Sequence, residues 1–246
     1  MRFLLLWTML VCGAAWAGAA PVVPWKEGER LRYEIYWGIV MAAEAEAQVK
    51  RVGNFWDTEL ELRTRGLVEA FFPMRSTFAG RMSVNTLRAR RFEAERLENK
   101  RRRSQLILLN PEAKSAAYTD RVSGQTVRFV LPDEETQTLL TLLYAARAVP
   151  WARGVERTWD VCDRDQLKRV RLRCVGEEER SLGKGAKATK LLVIQAEEVA
   201  NAAGRAPRRP LRARVWLNPQ GMVPEAVDLS FIYGTFNLRR VPEKPS

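Results

Sequence analysis

The chain has 246 residues, with 41 lysines and arginines against 29 aspartates and glutamates, for a formal net charge of +12. It contains no histidine, which excludes a Ser-His-Asp or Cys-His catalytic group and any metal site with a histidine ligand. The basic balance either draws anionic partners from a distance or gives a solvated basic surface.

The chain opens "MRFLLLWTMLVCGAAWAGAA". Arg2 makes a short positive start, residues 3–11 are almost wholly apolar, and Ala15 and Ala17 place small side chains where a signal peptidase reads. The pattern predicts a cleaved secretory signal over residues 1–17, with a cut after Ala19 as the near alternative. The apolar run is short for a membrane span. Cys12 lies inside it, where Val11 fits a lipidation site poorly. The expected destination is the periplasm or the cell exterior, and an uncleaved anchor is the other arrangement. Residues 18–25 lead into a single β-rich domain over 26–241, and 242–246 form a frayed tail.

In "RLRYEIYWGIVMAAEAEAQV", residues 30–49, apolar side chains hold the odd positions, and Arg30, Arg32, Glu34, Glu44, Glu46 and Gln48 fall on even ones. That period of two predicts a long strand or a hairpin, with Gly38 permitting a bend or a close approach. Ala43, Ala45 and Ala47 leave inward room beside the bulky Tyr33 and Trp37. "FWDTELELRTRG" reads as the neighbouring strand, and 66–73 has no clear pattern. Residues 74–100 read as two strands with a turn near 84–86, although their Arg and Glu content lets a helix compete over 87–100. A strand follows over 104–109, then a hairpin of 116–119 with 126–130 around Ser123-Gly124.

The stretch "DEETQTLLTLLYAAR", 133–147, changes period. Leu139, Leu140, Leu143 and Tyr144 fall at helical spacing, acids lead and Arg147 trails, which predicts the main helix, ended by Pro150. Strands resume near 155–161, 167–175, 190–195, 211–218 and 226–232. In the fourth of these, Leu211, Ala213, Val215 and Leu217 share one face. Gly234 reads as a turn. The fold class is mainly β: a curved antiparallel sheet or partly open barrel with one main helix.

Little of this points to catalysis. Asp133–Glu135 and Glu177–Glu179 are carboxylate triplets without the spacing of an opposed acid–base pair. "GKGAK", 183–187, lacks the strand-to-helix setting of a phosphate loop and reads as a basic surface loop. Lys100, Arg101, Arg102 and Arg103 form the densest basic run, suited to phosphate groups or lipid headgroups, with Arg88, Arg90 and Arg91 nearby. Aromatic platforms do not alternate with this run, and export argues further against nucleic acid. Trp37, Trp56, Phe71, Phe72, Trp151 and Trp216 fill a core or line an apolar cavity. Cys162 and Cys174 can pair in an oxidising compartment. In a tight hairpin, however, Cys162 faces Leu167 and Cys174 lies roughly 20 Å further along the strand, so a bridge requires the chain to bend back.

Three segments together, "EGERLRYEIYWGIVMAAEAEAQV", "DEETQTLLTLLYAARAVPWARG" and "RARVWLNPQGMVPEAVDLSFIYGTFNLR", resemble the exported bacterial family called domain of unknown function 3108. The aspartate common near that family's end is replaced here by Asn218 or Gln220. The resemblance implies an antiparallel β structure similar in broad terms to periplasmic lipid-carrier folds, and it brings no catalytic residues. It gives the inward room of Ala43, Ala45 and Ala47 two uses: packing of the main helix, or an acyl-chain ligand. In the second case Trp37, Ala43, Ala45, Ala47, Leu140, Leu143 and Tyr144 line the ligand, and an arginine such as Arg102 meets its headgroup. The expectation is a non-catalytic envelope protein without a cofactor that binds lipid, with peripheral membrane contact as a further possibility. A scaffold for envelope proteins is the alternative, and a carboxylate-dependent hydrolase a third.

Overall fold

The computed structural model describes residues 21–181, 187–201, 204–208, 210–231 and 234–242. The signal over 1–17, residues 183–186 of the basic loop and the tail beyond 242 lie outside the described residues. Strand β1 (Arg30–Trp37) turns back into β2 (Val40–Val52). Their register sets Leu31 opposite Ala47, Tyr33 opposite Ala45 and Ile35 opposite Ala43. The alternation is therefore a hairpin, and each alanine is small because a bulky partner already fills the space across the ladder. A bulge after Ile35 shifts the register. Gly38, at φ +61° with nothing near its missing side chain, serves the turn and no close approach.

The chain continues through β3 (Phe55–Thr64), α1 (Gly66–Phe71), β4 (Met74–Ser83), β5 (Ala89–Glu98), β6 (Arg101–Asn110), β7 (Ser115–Asp120) and β8 (Thr126–Val130). After these come β9 (Gln137–Thr138), α2 (Leu139–Arg147), β10 (Glu156–Asp163), β11 (Gln166–Ser181), β12 (Ala188–Asn201), β13 (Arg212–Asn218), β14 (Val223–Phe231) and β15 (Gly234–Val241). All fifteen strands form one open, curved sheet in the order β8-β7-β6-β5-β4-β3-β2-β1-β15-β14-β13-β12-β11-β10-β9. Every ladder is antiparallel except the short β9–β10 pair. No described helix is long and apolar enough to cross a membrane.

Over 87–100 the strand reading holds against the competing helix: the segment is strand β5, whose Phe92 and Ala94 are buried. On its other face Arg91 pairs with Glu93, and Arg102 with Glu95. The Arg and Glu content thus pairs charges along and across the strands, and packing overrides helix propensity. Two local outcomes, at Gly234 and at the main helix, differ from the sequence reading. The segment after Gly234 is a strand, β15, that pairs with β1. The main helix is shorter than 133–147: the Asp133 carboxylate accepts the Glu135 N–H at 2.8 Å, making a turn. The helix is instead capped by Thr138, whose N–H donates to Thr141 Oγ1 at 2.9 Å.

Helix α2 lies inside the curve. Leu140 and Tyr144 sink into a core with Trp25, Trp56, Met82, Phe92 and Ile107. The close approach that lets it do so is at Gly80. A side chain there would meet Thr58 Oγ1 at 2.8 Å, Thr141 Cγ2 at 3.3 Å and Leu140 Cβ at 3.5 Å. The helix therefore packs over Gly80 and not over the alanines of β2. Ala43 and Ala45 pack with Leu31, Tyr33 and Ile35, and the Tyr33 hydroxyl donates to the Pro224 carbonyl at 3.0 Å.

Arg147 ties the far end of α2 to the rest of the molecule. It is 4% exposed and forms a two-pronged ion pair with Glu29 at 2.6 and 2.9 Å. It also donates to the carbonyls of Met222 at 2.9 Å and Gly221 at 3.2 Å. Its guanidinium lies 5.6 Å from the ring centres of Trp25 and Tyr144.

Candidate functional site: an apolar cavity beside a cationic recess

The face of α2 opposite its core contacts borders a cavity of about 1360 Å³. Its wall is the inner face of the second half of the sheet, every other residue of each strand: Val170 and Leu172 on β11, Ile194 and Ala196 on β12, Val215 and Leu217 on β13, Val227 and Leu229 on β14. Leu142, Leu143, Ala146 and Trp151 close it from the helix side. Leu139 and Leu143, one turn apart on that side, are 49% and 52% exposed. Two leucines half bare on a helix held inside a sheet mean that the space before them is not filled by protein.

The polar rim comes from the β10–β11 turn and the neighbouring strand ends. Lys168 pairs with Asp163 at 2.7 Å, and Arg212 with Glu197 at 3.0 Å. Cys162 lines the cavity but is 2% exposed. Burial, with smaller contributions from Asp163 and Asp165, pushes its thiol up to about 12, so it is neither a nucleophile nor a thiolate ligand at neutral pH. Beside the cavity is a smaller recess of about 270 Å³. Arg96, Gln105 and Arg164 line both spaces, and Arg102, Arg103, Tyr118 and Asp120 line the recess but not the cavity.

The structure divides the side chains expected around a ligand. Leu143 borders the cavity. Leu140 and Tyr144 point into the core on the other face of α2. Ala43, Ala45 and Ala47 belong to the β1–β2 packing. Trp37, 52% exposed after the β1 bulge, is not in the lining itself but stacks on Phe236, which is. Of the other aromatics, Trp151 lines the cavity, Trp56 is core, and Phe71 and Phe72 are exposed at α1. Trp216 packs in a separate cluster, its Nε1 donating to Glu178 at 2.9 Å.

The basic run is divided too. Lys100 occupies the turn at φ +69°. Arg102 pairs with Glu95 at 3.2 Å, while Arg101 and Arg103 share the opposite face of β6. Arg88, Arg90 and Arg91 are neutralised by Glu134, Glu112 and Glu93. Cys162 and Cys174 are both free and buried. Cys162 does face Leu167 in the β10–β11 hairpin, and Cys174 sits opposite Ile194 on another ladder. The chain does not bend back, the condition a bridge required, and the two thiols stay apart. Neither carboxylate triplet reaches the cavity: Glu134 pairs with Arg88, Glu177 with Lys190 and Glu178 with Arg214. Among the described residues no group of three or more Cys, Asp or Glu is placed to hold a metal ion.

The cavity wall was partly visible in sequence, as the shared face of Ala213, Val215 and Leu217. Arg96 and Arg164 carried no such signal, because the strands that bring them together are far apart in the chain. Asn218 and Gln220 form one turn: the Asn218 side-chain oxygen accepts the Gln220 N–H at 3.0 Å.

Comparison with solved structures finds the same architecture elsewhere. A β-barrel-like protein of domain of unknown function DUF1849 from Brucella abortus superposes with a TM-score of 0.60 at 10% identity, covering 91% of this chain and 98% of that one. A duf1089 family protein from Pseudomonas aeruginosa gives a TM-score of 0.41 at 13% identity, over 76% of this chain and 90% of that one. The first likeness shows the fold alone, and the second is too weak to carry an argument. Comparison with curated proteins gives no match. The family model described as "Protein of unknown function (DUF3108)" matches residues 32–240, most of the sheet and all of the cavity wall, and the chain belongs to that family.

Proposed function

We propose that this is an exported envelope protein that binds an acyl-chain ligand between α2 and the β10–β14 wall, without chemistry on it. The observation that carries the reading is the pair Leu139 and Leu143, half exposed toward a cavity walled by alternate apolar side chains. Covering such surface with a hydrocarbon chain is favourable at about 25 cal/mol per Å². The cavity volume of about 1360 Å³ exceeds the ~300–1,000 Å³ of ordinary small-molecule pockets, which suits a long chain. The apolar opening segment of the sequence supports export. A scaffold for envelope assembly would need a packed interior, so the cavity favours the ligand reading over it.

The test is uptake of a fluorescent long-chain fatty acid by the purified protein. Ala213→Trp fills the cavity from β13 and is expected to weaken uptake about tenfold, a loss of about 1.4 kcal/mol. Ala45→Trp lies in the β1–β2 packing and serves as the off-site comparison. Full uptake by a folded Ala213→Trp variant, or no uptake by the parent protein, would overturn the proposal.

A further inference from the structure

Resting on the cavity reading, we infer that the ligand has an anionic head, carboxylate or phosphate, seated in the recess between Arg96, Arg103 and Arg164. Arg96 on β5 and Arg103 on β6 are direct partners across the ladder. Like charges in that position repel. Elsewhere on the sheet, arginines meet acids: Arg63 with Glu44, Arg81 with Asp57, Arg169 with Asp160. Among the described residues neither Arg96 nor Arg103 has a carboxylate within ion-pair distance. Arg96 lies with its guanidinium 5.1 Å from the Phe78 ring centre, which positions the charge without neutralising it. Arg164 comes from the β10–β11 turn to line the same recess, also without an ion pair among the described residues.

Four arginines line the recess, Arg96, Arg102, Arg103 and Arg164, and of these Arg102 is paired with Glu95. Asp120 is the carboxylate in its lining, and that group already accepts the N–H groups of Val122 at 2.8 Å and Ser123 at 3.1 Å. Asp163 and Asp165 flank Arg164 in the turn, line the cavity and act electrostatically on Tyr118 in the recess, while Asp120 interacts with Arg164. Arg103 and Arg164 are exposed and solvated, but like charges brought together repel, and an anion between them relieves that repulsion; guanidiniums match the oxygens of carboxylate and phosphate in geometry. Arg96, Gln105 and Arg164 are the shared wall between recess and cavity. A head held by the arginines therefore starts its chain at the cavity mouth, and an anionic amphiphile satisfies both spaces at once.

The experiment compares hexadecanoic acid, hexadecyl phosphate and hexadecanol as competitors for the fluorescent fatty acid, using the full mature chain. At least one anionic ligand is expected to bind about tenfold or more tighter than the alcohol, as charge-assisted hydrogen bonds require. Which anion binds tighter distinguishes a fatty acid from a phosphate-headed lipid. Arg103→Gln combined with Arg164→Gln is expected to remove the preference. Arg32→Gln, on the exposed outer face, is expected to keep it. Equal binding of all three by the parent protein overturns the headgroup assignment and leaves the cavity reading intact. Binding of none overturns the cavity reading itself. As a second readout, Arg103→Gln alone is expected to leave the melting temperature of the ligand-free protein unchanged or raised, since it removes a like-charge neighbour. A clear fall would mean that Arg103 is a structural partner and would also overturn the assignment.

Discussion

Replacing Arg147 with methionine removes a charge whose partners come from three parts of the chain. The side chain is 4% exposed and Glu29 16% exposed, so solvent does little to compensate either one alone. The variant loses both prongs of the ion pair, the donors to Met222 and Gly221 and the contacts with Trp25 and Tyr144, and leaves Glu29 without its cation. Breaking a buried pair from one side costs about 3–5 kcal/mol. For a chain of this size that is a fall in melting temperature of roughly 6–20 °C, at ~2–4 °C per kcal/mol. The exposed pair Arg32–Glu46, at 65% and 38% side-chain exposure, gives the contrasting scale of about 0–1 kcal/mol. Urea unfolding followed by circular dichroism would measure Arg147→Met, Glu29→Gln and the double variant. The double variant is expected to be less destabilised than the sum of the singles by about 0.5–3 kcal/mol, because the second substitution removes a charge already stranded. Simple additivity, or an Arg147→Met cost no larger than that of Arg32→Gln, would refute this account of the helix end.

Two further substitutions and labels probe the interior. Gly80→Ala places a carbon at 2.8 Å from Thr58 Oγ1 and 3.3 Å from Thr141 Cγ2 and is expected to cost about 1–3 kcal/mol of overpacking. Gly80→Val is expected to cost more and to weaken fatty-acid uptake by pushing α2 toward the cavity; unchanged stability in both would show that the helix is not seated there. Cys162 and Cys174 are expected to resist alkylation at pH 8 in the folded protein and to be modified fully in guanidinium without prior reduction. A tryptic peptide pair joined by a bridge would contradict the free thiols.

What the sequence made legible was local. The β1–β2 hairpin is visible because its side chains alternate within one short stretch. The same alternation could not say that Tyr33 faces Ala45 across a turn, so the alanines passed for cavity lining when they are the small halves of cross-strand pairs. Helix spacing put Leu139, Leu140, Leu143 and Tyr144 together, but spacing alone cannot tell which side of a buried helix meets core and which meets open space. Arg147 looked like a favourable charge at a helix end. Its partner Glu29 is 118 positions away, and nothing local marks the pairing. The facing of Arg96 and Arg103 depends on the β5–β6 register, which composition rich in Arg and Glu obscured by imitating a helix.

The order of strands has a further consequence, for the chain as a loop. Neighbours in the sheet are neighbours in sequence everywhere except at β1–β15, where the first and last strands of the domain lie side by side. The two free edges, β8 and β9, are by contrast consecutive in the chain. If the ends were joined and the backbone opened between Val130 and Gln137, the same sheet would run in chain order from β9, through the α2 crossover, into an antiparallel meander from β10 to β8. The long-range contact that must now close across the whole domain would become a hairpin. Because folding slows as contacting residues grow distant in sequence, the present ends impose on this architecture a slow final closure that its geometry does not need.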